Sequence, residues 1–147
     1  MAESYHFFMA FEPPTATQQE KKIGIRNGKP FTYPDERWER ARDVLWAQLE
    51  PHRPTEKLQG AVVLDATWCF PKGNAHIDGE PHVDKPDTDN LEKGLKDIMT
   101  KLGWWRDDAQ VFSSHTTKIY SRIPGIRIDI HEVRDPRSAA DRRNHES

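Results

Sequence analysis

At 147 residues and 17.1 kDa the chain is long enough for one domain and short for two. Its single cysteine, Cys69, excludes an internal disulfide and any multi-cysteine metal site, and no apolar run approaches the ~20 residues of a membrane span. A net charge of −2 excludes a uniformly basic surface, so any contact with a polyanion must come from local basic patches. The N-terminus has no basic segment followed by an apolar one, and the expected location is the cytoplasm.

Tyr5 to Phe11 is a short apolar, aromatic run closed by Glu12-Pro13-Pro14, which predicts a buried strand. Pro13 to Pro30 is expected to be a loop, carrying Lys21, Lys22, Arg26 and Lys29 and punctuated by Gly24 and Gly28. It is either a basic arm or an ordinary solvated loop. Phe31-Thr32-Tyr33 is a brief extended segment, and Pro34 suits the first turn of a helix. From Asp35 to Leu49 the residues Trp38, Ala41, Val44, Leu45 and Leu49 recur at helical spacing, with Trp46 at the flank of the stripe. Both tryptophans read as core rather than as base-stacking residues. Pro51 and Pro54 end this helix.

Gly60 to Phe70 alternates at period two, with Val62, Leu64, Ala66, Trp68 and Phe70 inward and Val63, Asp65, Thr67 and Cys69 outward. Pro71 to Pro86 is a loop punctuated by glycine and proline. Its histidines, His76 and His82, are expected to be solvated, with His82 a candidate for substrate contact.

The stretch from Lys85 to Val111 is the most patterned. Leu91, Leu95, Ile98, Met99 and Leu102 draw one helical stripe over 90–102. Asp89 is the expected N-cap with Glu92 as its capping-box partner, and Gly103 the C′ residue of a Schellman ending in which Trp104 meets Met99. Acids flank this helix, Asp87 and Asp89 before it and Asp107 and Asp108 after it. Such a helix is about 20 Å long at ~1.5 Å per residue, so the pairs meet only if the chain turns back along it after Gly103. Converging carboxylates repel one another and imply a cation, and an all-oxygen set suits Mg²⁺ or Mn²⁺ rather than Zn²⁺. The alternative is that these acids are caps and turn residues.

Beyond this helix, 109–120 alternates with strand-forming residues, Val111, Ser113, His115, Thr117 and Ile119 against Phe112, Ser114, Thr116, Lys118 and Tyr120. A turn at 121–125 leads to Ile126-Arg127-Ile128-Asp129-Ile130, and the two strands are expected to pair as an antiparallel hairpin. Residues 134–147 hold no large apolar side chain and read as a charged, disordered tail after one domain at 1–133. The fold class is α/β, a compact domain with two main helices on a small mixed sheet.

The run K-P-D-T-D-N-L-E-K, an amphipathic helix and then W-W-R-D-D-A-Q-V resembles the signature of the RusA family of Holliday-junction resolvases, found largely in bacteria, prophages and phages. The pattern D-x-D-N-L-x-K and, a helix later, W-x-D-D-A/S-Q-V is met by Asp87, Asp89, Asn90, Leu91, Lys93, Trp105, Asp107, Asp108, Ala109, Gln110 and Val111. The resemblance implies a compact α/β nuclease that acts as a homodimer on four-way DNA junctions. By the same resemblance Asp87, Asp89 and Asp108 are metal-binding catalytic carboxylates, Lys93 is a catalytic lysine, and Asp107 is an auxiliary ligand or a turn residue. Mg²⁺ is the implied cofactor, with Mn²⁺ as a substitute. Given a DNA substrate, Lys21, Lys22, Arg26, Lys29 and Lys85 become the expected phosphate contacts. Two other readings remain from the residues alone, a non-catalytic branched-DNA-binding module and a metal-dependent phosphoesterase on other nucleic acid.

Overall fold

The structure, a computed structural model, describes residues 3–17 and 21–133; the expected tail at 134–147 lies outside the described residues, as does the side chain of Lys21. Four strands form the main sheet: β1 (Ser4–Met9), β4 (Ala61–Pro71), β5 (Val111–Ser121) and β6 (Gly125–Val133). Their order is β1-β6-β4-β5, with β4 parallel to β5 and antiparallel to β6, and β6 antiparallel to β1. Helices α1 (Glu36–Leu49) and α2 (Thr88–Lys101) complete the α/β architecture expected from the sequence.

The period-two pattern of β4 decides which face of the sheet is covered. Val62, Leu64, Ala66, Trp68 and Phe70 are all buried, in one cluster with Trp38, Leu45 and Leu49 of α1 and Leu91, Leu95, Ile98 and Met99 of α2. Trp38 is buried and Trp46 packs against the same cluster, so both tryptophans belong to the core. Asp35 caps α1, its carboxylate accepting the Arg37 N–H at 2.8 Å. Pro34, expected inside the helix, is instead the last residue of a strand, because the cap falls after it.

Three expectations are corrected. The basic loop contains a hairpin, β2 (Lys21–Arg26) and β3 (Lys29–Pro34), outside the main sheet. Asn27-Gly28 makes the turn with φ of 52° and 74°, the doubly positive geometry that this dipeptide favours. Second, β5 and β6 do not pair with each other. Each flanks β4, since a strand entering parallel to β4 through α2 occupies the edge that a β5–β6 hairpin would need. The 71–86 loop then covers the free edge of β5, where Gly79 and His82 N–H groups donate to Tyr120 and Lys118 carbonyls and the Tyr120 N–H donates to Glu80. Third, the register of β5 slips between Val111 and Ser113, opposite Val62 and Val63. Phe112 is the extra residue of this bulge, so Val111 joins the core-facing side with Ser114 and Thr116 rather than the side of Ser113 and His115.

Candidate active site

The helix expected over 90–102 runs Thr88–Lys101 and begins two residues early: Asp87, not Asp89, stands at the N-cap. Its carboxylate makes no capping hydrogen bond, so the expected capping box of Asp89 and Glu92 is not formed. The other end is as expected. Gly103 has φ of 86°, its N–H donates to the Thr100 carbonyl, and the Trp104 N–H donates to the Met99 carbonyl, the paired bonds of a Schellman ending. Trp104 and Met99 are both fully buried, which fixes where the chain reverses.

The acids flanking α2 divide into two kinds. Asp107 has a structural duty. Its side chain accepts the Ala109 N–H at 2.9 Å and caps a single 3-10 turn, Asp108–Gln110. That backbone bond, followed by its contact with Asp108, holds the Asp107 carboxyl below the usual carboxylate range. Gln110 completes the turn: its Oε1 accepts the Arg106 and Asp107 N–H groups at 2.8 and 3.1 Å, and its Nε2 donates to the Leu58 and Gly60 carbonyls at 2.8 and 3.0 Å. The glutamine thereby ties the Asp107-Asp108 turn to the chain entering β4.

Asp87 and Asp89 have no such duty. Both are exposed, and neither carboxylate makes a hydrogen bond or ion pair with the described residues. They stand at the positive end of the α2 dipole, which lowers the cost of placing two negative charges there. Asp89 and Glu92 line a shallow groove of about 230 Å³ with Thr88 and, from β5, Ser114 and Thr116. Lys93 follows Asp89 by four residues, on the same side of the helix. It is exposed and forms no ion pair with Asp89 or Asp97, so the surface-pair explanation of this lysine has no contact behind it among the described residues.

Lys118 is half-buried at the far end of β5 from Asp108. Its Nζ donates to the Asp84 and Pro86 carbonyls at 2.6 and 2.7 Å, clamping the segment that leads into Asp87. Next to it, His82 is buried and stacks on Phe70, with ring centroids 4.3 Å apart, and tilts against Tyr120 at 4.7 Å. This corrects its assignment as a solvated, substrate-facing residue. Burial pushes the imidazole below its ordinary pKa, and nearby Lys118 adds to the effect. The Tyr120 hydroxyl donates to Asp84 at 3.0 Å, and burial followed by that bond pushes it up. Asp65, which the alternation placed outward, pairs with His115 at 2.8 Å on the sheet face opposite the groove.

Asp108 does not join the groove. The chain does turn back along α2, but β5 itself makes the return, and Asp108 precedes it. Asp108 to Ser114 is one 3-10 turn plus three strand residues, roughly 15 Å of chain. Among the described residues no three His, Cys, Asp or Glu side chains are grouped closely enough to hold a metal ion. The donors that are present suit a hard cation all the same. Carboxylates at Asp87, Asp89 and Glu92 with hydroxyls at Ser114 and Thr116 give oxygen alone, and Mg²⁺ binds through one or two carboxylates while keeping waters and substrate phosphates. Glu92 is expected from the sequence only as a capping partner, and Ser114 and Thr116 only as strand residues, not as site residues. Their only signal was the core-side parity of β5, which the bulge at Phe112 leaves intact beyond Ser113.

Of the expected phosphate contacts, Lys22, Arg26 and Lys29 are exposed on the β2–β3 hairpin, and Lys85 is exposed two residues before Asp87. Lys21 opens β2, opposite Pro34.

The fold is the mixed α/β domain that the motif predicts, with open carboxylates and a lysine around one helix start. The comparisons agree. The family model of endodeoxyribonuclease RusA matches residues 12–131. A crossover junction endodeoxyribonuclease, RusA, of Lactococcus phage r1t is 30% identical over 131 residues, covering 88% of this chain and 98% of the phage protein. An uncharacterized Bacillus subtilis protein, YqaN, is 27% identical over 137 residues, 86% of this chain and 95% of its own. The chain belongs to the RusA endodeoxyribonuclease family.

Proposed function

We propose that this protein is a structure-selective endodeoxyribonuclease that resolves four-way DNA junctions by Mg²⁺-dependent hydrolysis, placing paired nicks as a homodimer. The observation that carries the reading is the division among its acids: Asp35 and Asp107 cap their turns, while Asp87 and Asp89 hold open carboxylates with no partner among the described residues. The helix dipole favours each acid singly, while their mutual repulsion is what a bound cation would relieve.

Asp87 and Asp89 would hold the cation, with Glu92 and the Ser114 and Thr116 hydroxyls offering oxygen to its waters. When bound, Mg²⁺ supplies polarisation of the scissile phosphate and a more acidic water. Lys93 directs its ammonium to charge building on the phosphate or the leaving oxygen. Lys118 and Gln110 position rather than react, one fixing the approach to Asp87 and the other the Asp107-Asp108 turn. Asp108 does not line the groove of Asp89 within one chain, so if it serves as a ligand to the same cation a second copy of the chain would have to supply it. Lys22, Arg26, Lys29 and Lys85, with Lys21 beside them, supply the local positive charge that a chain of net charge −2 needs to hold DNA.

The test is incubation with a labelled synthetic four-way junction and a matched linear duplex, with Mg²⁺ and with a chelator. Symmetric nicks in the junction alone, abolished by the chelator, are expected. Equal cutting of both substrates means a general nuclease, and junction binding without cutting under any divalent ion means a binding module; either would overturn the proposal.

A further inference from the structure

The hairpin at residues 21–34 is outside the core in every respect. None of its described side chains belongs to the buried cluster, and Ile23 and Ile25 are 73% and 78% exposed. Directly opposed residues of an antiparallel pair share a face, so the register Gly24↔Phe31, Lys22↔Tyr33 and Arg26↔Lys29 assigns all six residues to one side. The other side holds Ile23, Ile25, Pro30 and Thr32, and by the same register Lys21, opposite Pro34 at the base of the hairpin. Every described basic side chain of the hairpin thus stands on the aromatic face.

That face is built around a missing side chain. A Cβ on Gly24 would lie 2.8 Å from Phe31 Cζ and 3.2 Å from Tyr33 Cε1, so both rings converge over the glycine backbone. Their centroids are 5.7 Å apart, and the Arg26 guanidinium sits 5.2 Å from the Phe31 centroid. Each ring nevertheless keeps 38% of its surface exposed. Aromatic packing on a cross-strand glycine can serve the hairpin alone. It does not require three cations on the face that carries the rings. Rings beside cations are the combination that binds unstacked nucleobases, with the rings taking the base and the cations its flanking phosphates.

The hairpin is also rooted at the right place. Thr17, the last described residue before it, is buried and lines a small cavity with Trp38, of the helix that follows the hairpin, and with Asn90 and Leu91 in the first turn of α2. The chain leaves the hairpin through Asp35, close enough to Lys22 for that lysine to add to the lowering of the Asp35 pKa that the Arg37 hydrogen bonds begin. The described segments on either side of the hairpin therefore adjoin the start of the helix that carries Asp87 and Asp89.

We infer that the Phe31–Tyr33 face of the hairpin, rimmed by Lys22, Arg26 and Lys29, is a stacking platform for an unpaired base at the branch point of the DNA substrate. This rests on the junction-nuclease reading above. The platform gives selectivity for branched over linear DNA, since a continuous duplex offers no free base face without unstacking.

The experiment uses the full chain, without divalent metal, and a four-way junction carrying 2-aminopurine at the branch point. Wild-type protein is expected to change the fluorescence on binding. Phe31→Leu keeps an apolar contact on Gly24 but is expected to lose the fluorescence change and to bind roughly five- to a hundred-fold more weakly. Phe31→Trp should preserve both. Lys29→Ala should weaken binding and lower its salt dependence while leaving the fluorescence change at saturation. Because no hairpin residue is in the core, the melting temperature of these variants should match wild type, which separates stacking from misfolding. If wild type binds and cleaves junctions but Phe31→Leu gives the same signal at saturation, the platform is refuted and the nuclease reading stands. If wild type binds no junction, both fall.

Discussion

Gln110→Glu changes one atom type and tests whether the Asp107-Asp108 turn is held as the structure shows. The Oε1 bonds to Arg106 and Asp107 N–H groups survive the substitution, but the Nε2 donor to the Leu58 and Gly60 carbonyls, at 2.8 and 3.0 Å, becomes a second acceptor. Two hydrogen bonds at ~1 kcal/mol each are lost, and a half-buried carboxylate oxygen now faces two carbonyl oxygens, so destabilisation of about 2–4 kcal/mol is expected at neutral pH. For a domain of this length that is a fall in melting temperature of roughly 5–15 °C. The sign of its pH dependence is also set. The introduced carboxyl is harder to ionise when folded, so its folded pKa lies above the unfolded value of about 4.3. The folded variant holds its proton more tightly, and the penalty shrinks as pH falls through the raised folded value. Thermal melts of variant and wild type compared at pH 7 and pH 4.5 read the difference directly. A variant that melts with wild type at pH 7 would refute the view that Gln110 fastens the turn.

Lys93→Ala should leave the melting temperature within the range of a surface substitution and cut junction cleavage about a hundred-fold or more; loss of activity in proportion to loss of folded protein would reject the role of the lysine. Mixing Asp89→Asn with Asp108→Asn chains should restore single nicks, because one of the two sites in a mixed dimer would again hold both acids; no restoration under conditions of subunit exchange would place each site within one chain. His82 faces Phe70, Tyr120, Lys118 and Asp84, and its folded pKa lies below the ordinary value of about 6.5. The unfolded chain therefore binds the proton first, so stability present above about pH 6.5 is lost as pH falls below it, and His82→Phe should flatten that slope in melts between pH 5 and 7.5. An unchanged slope would mean that the imidazole stays neutral for no energetic reason.

The parts of the fold that follow from strong periodicity were legible in the sequence. The single-face pattern from Val62 to Phe70 became the central strand, and the stripe from Leu91 to Leu102 became α2, with its Schellman ending at Gly103. What failed depended on pairing. Local alternation in 111–120 and 126–130 cannot say whether β5 joins β6 or β4, and the choice is made by α2 packing across β4. The Asn27-Gly28 signal was present and was outweighed by the surrounding lysines and prolines, which read as loop. At the site, the acids were found by type and spacing, but their division into caps and open carboxylates was not. Asp is favoured at a cap whether or not its side chain bonds there, so only the geometry separates Asp107 from Asp87. Lys118 and Gln110 escaped notice because their partners are backbone carbonyls distant in sequence.

The central claim is that the open carboxylates at the start of α2 perform chemistry, and Asp89→Asn tests it most directly. The substitution keeps size and removes the charge a cation needs, at an exposed position with no bond to lose among the described residues. Cleavage of a labelled four-way junction in Mg²⁺ should disappear while junction affinity and melting temperature stay at wild-type values. Cleavage at the wild-type rate by Asp89→Asn would contradict the account.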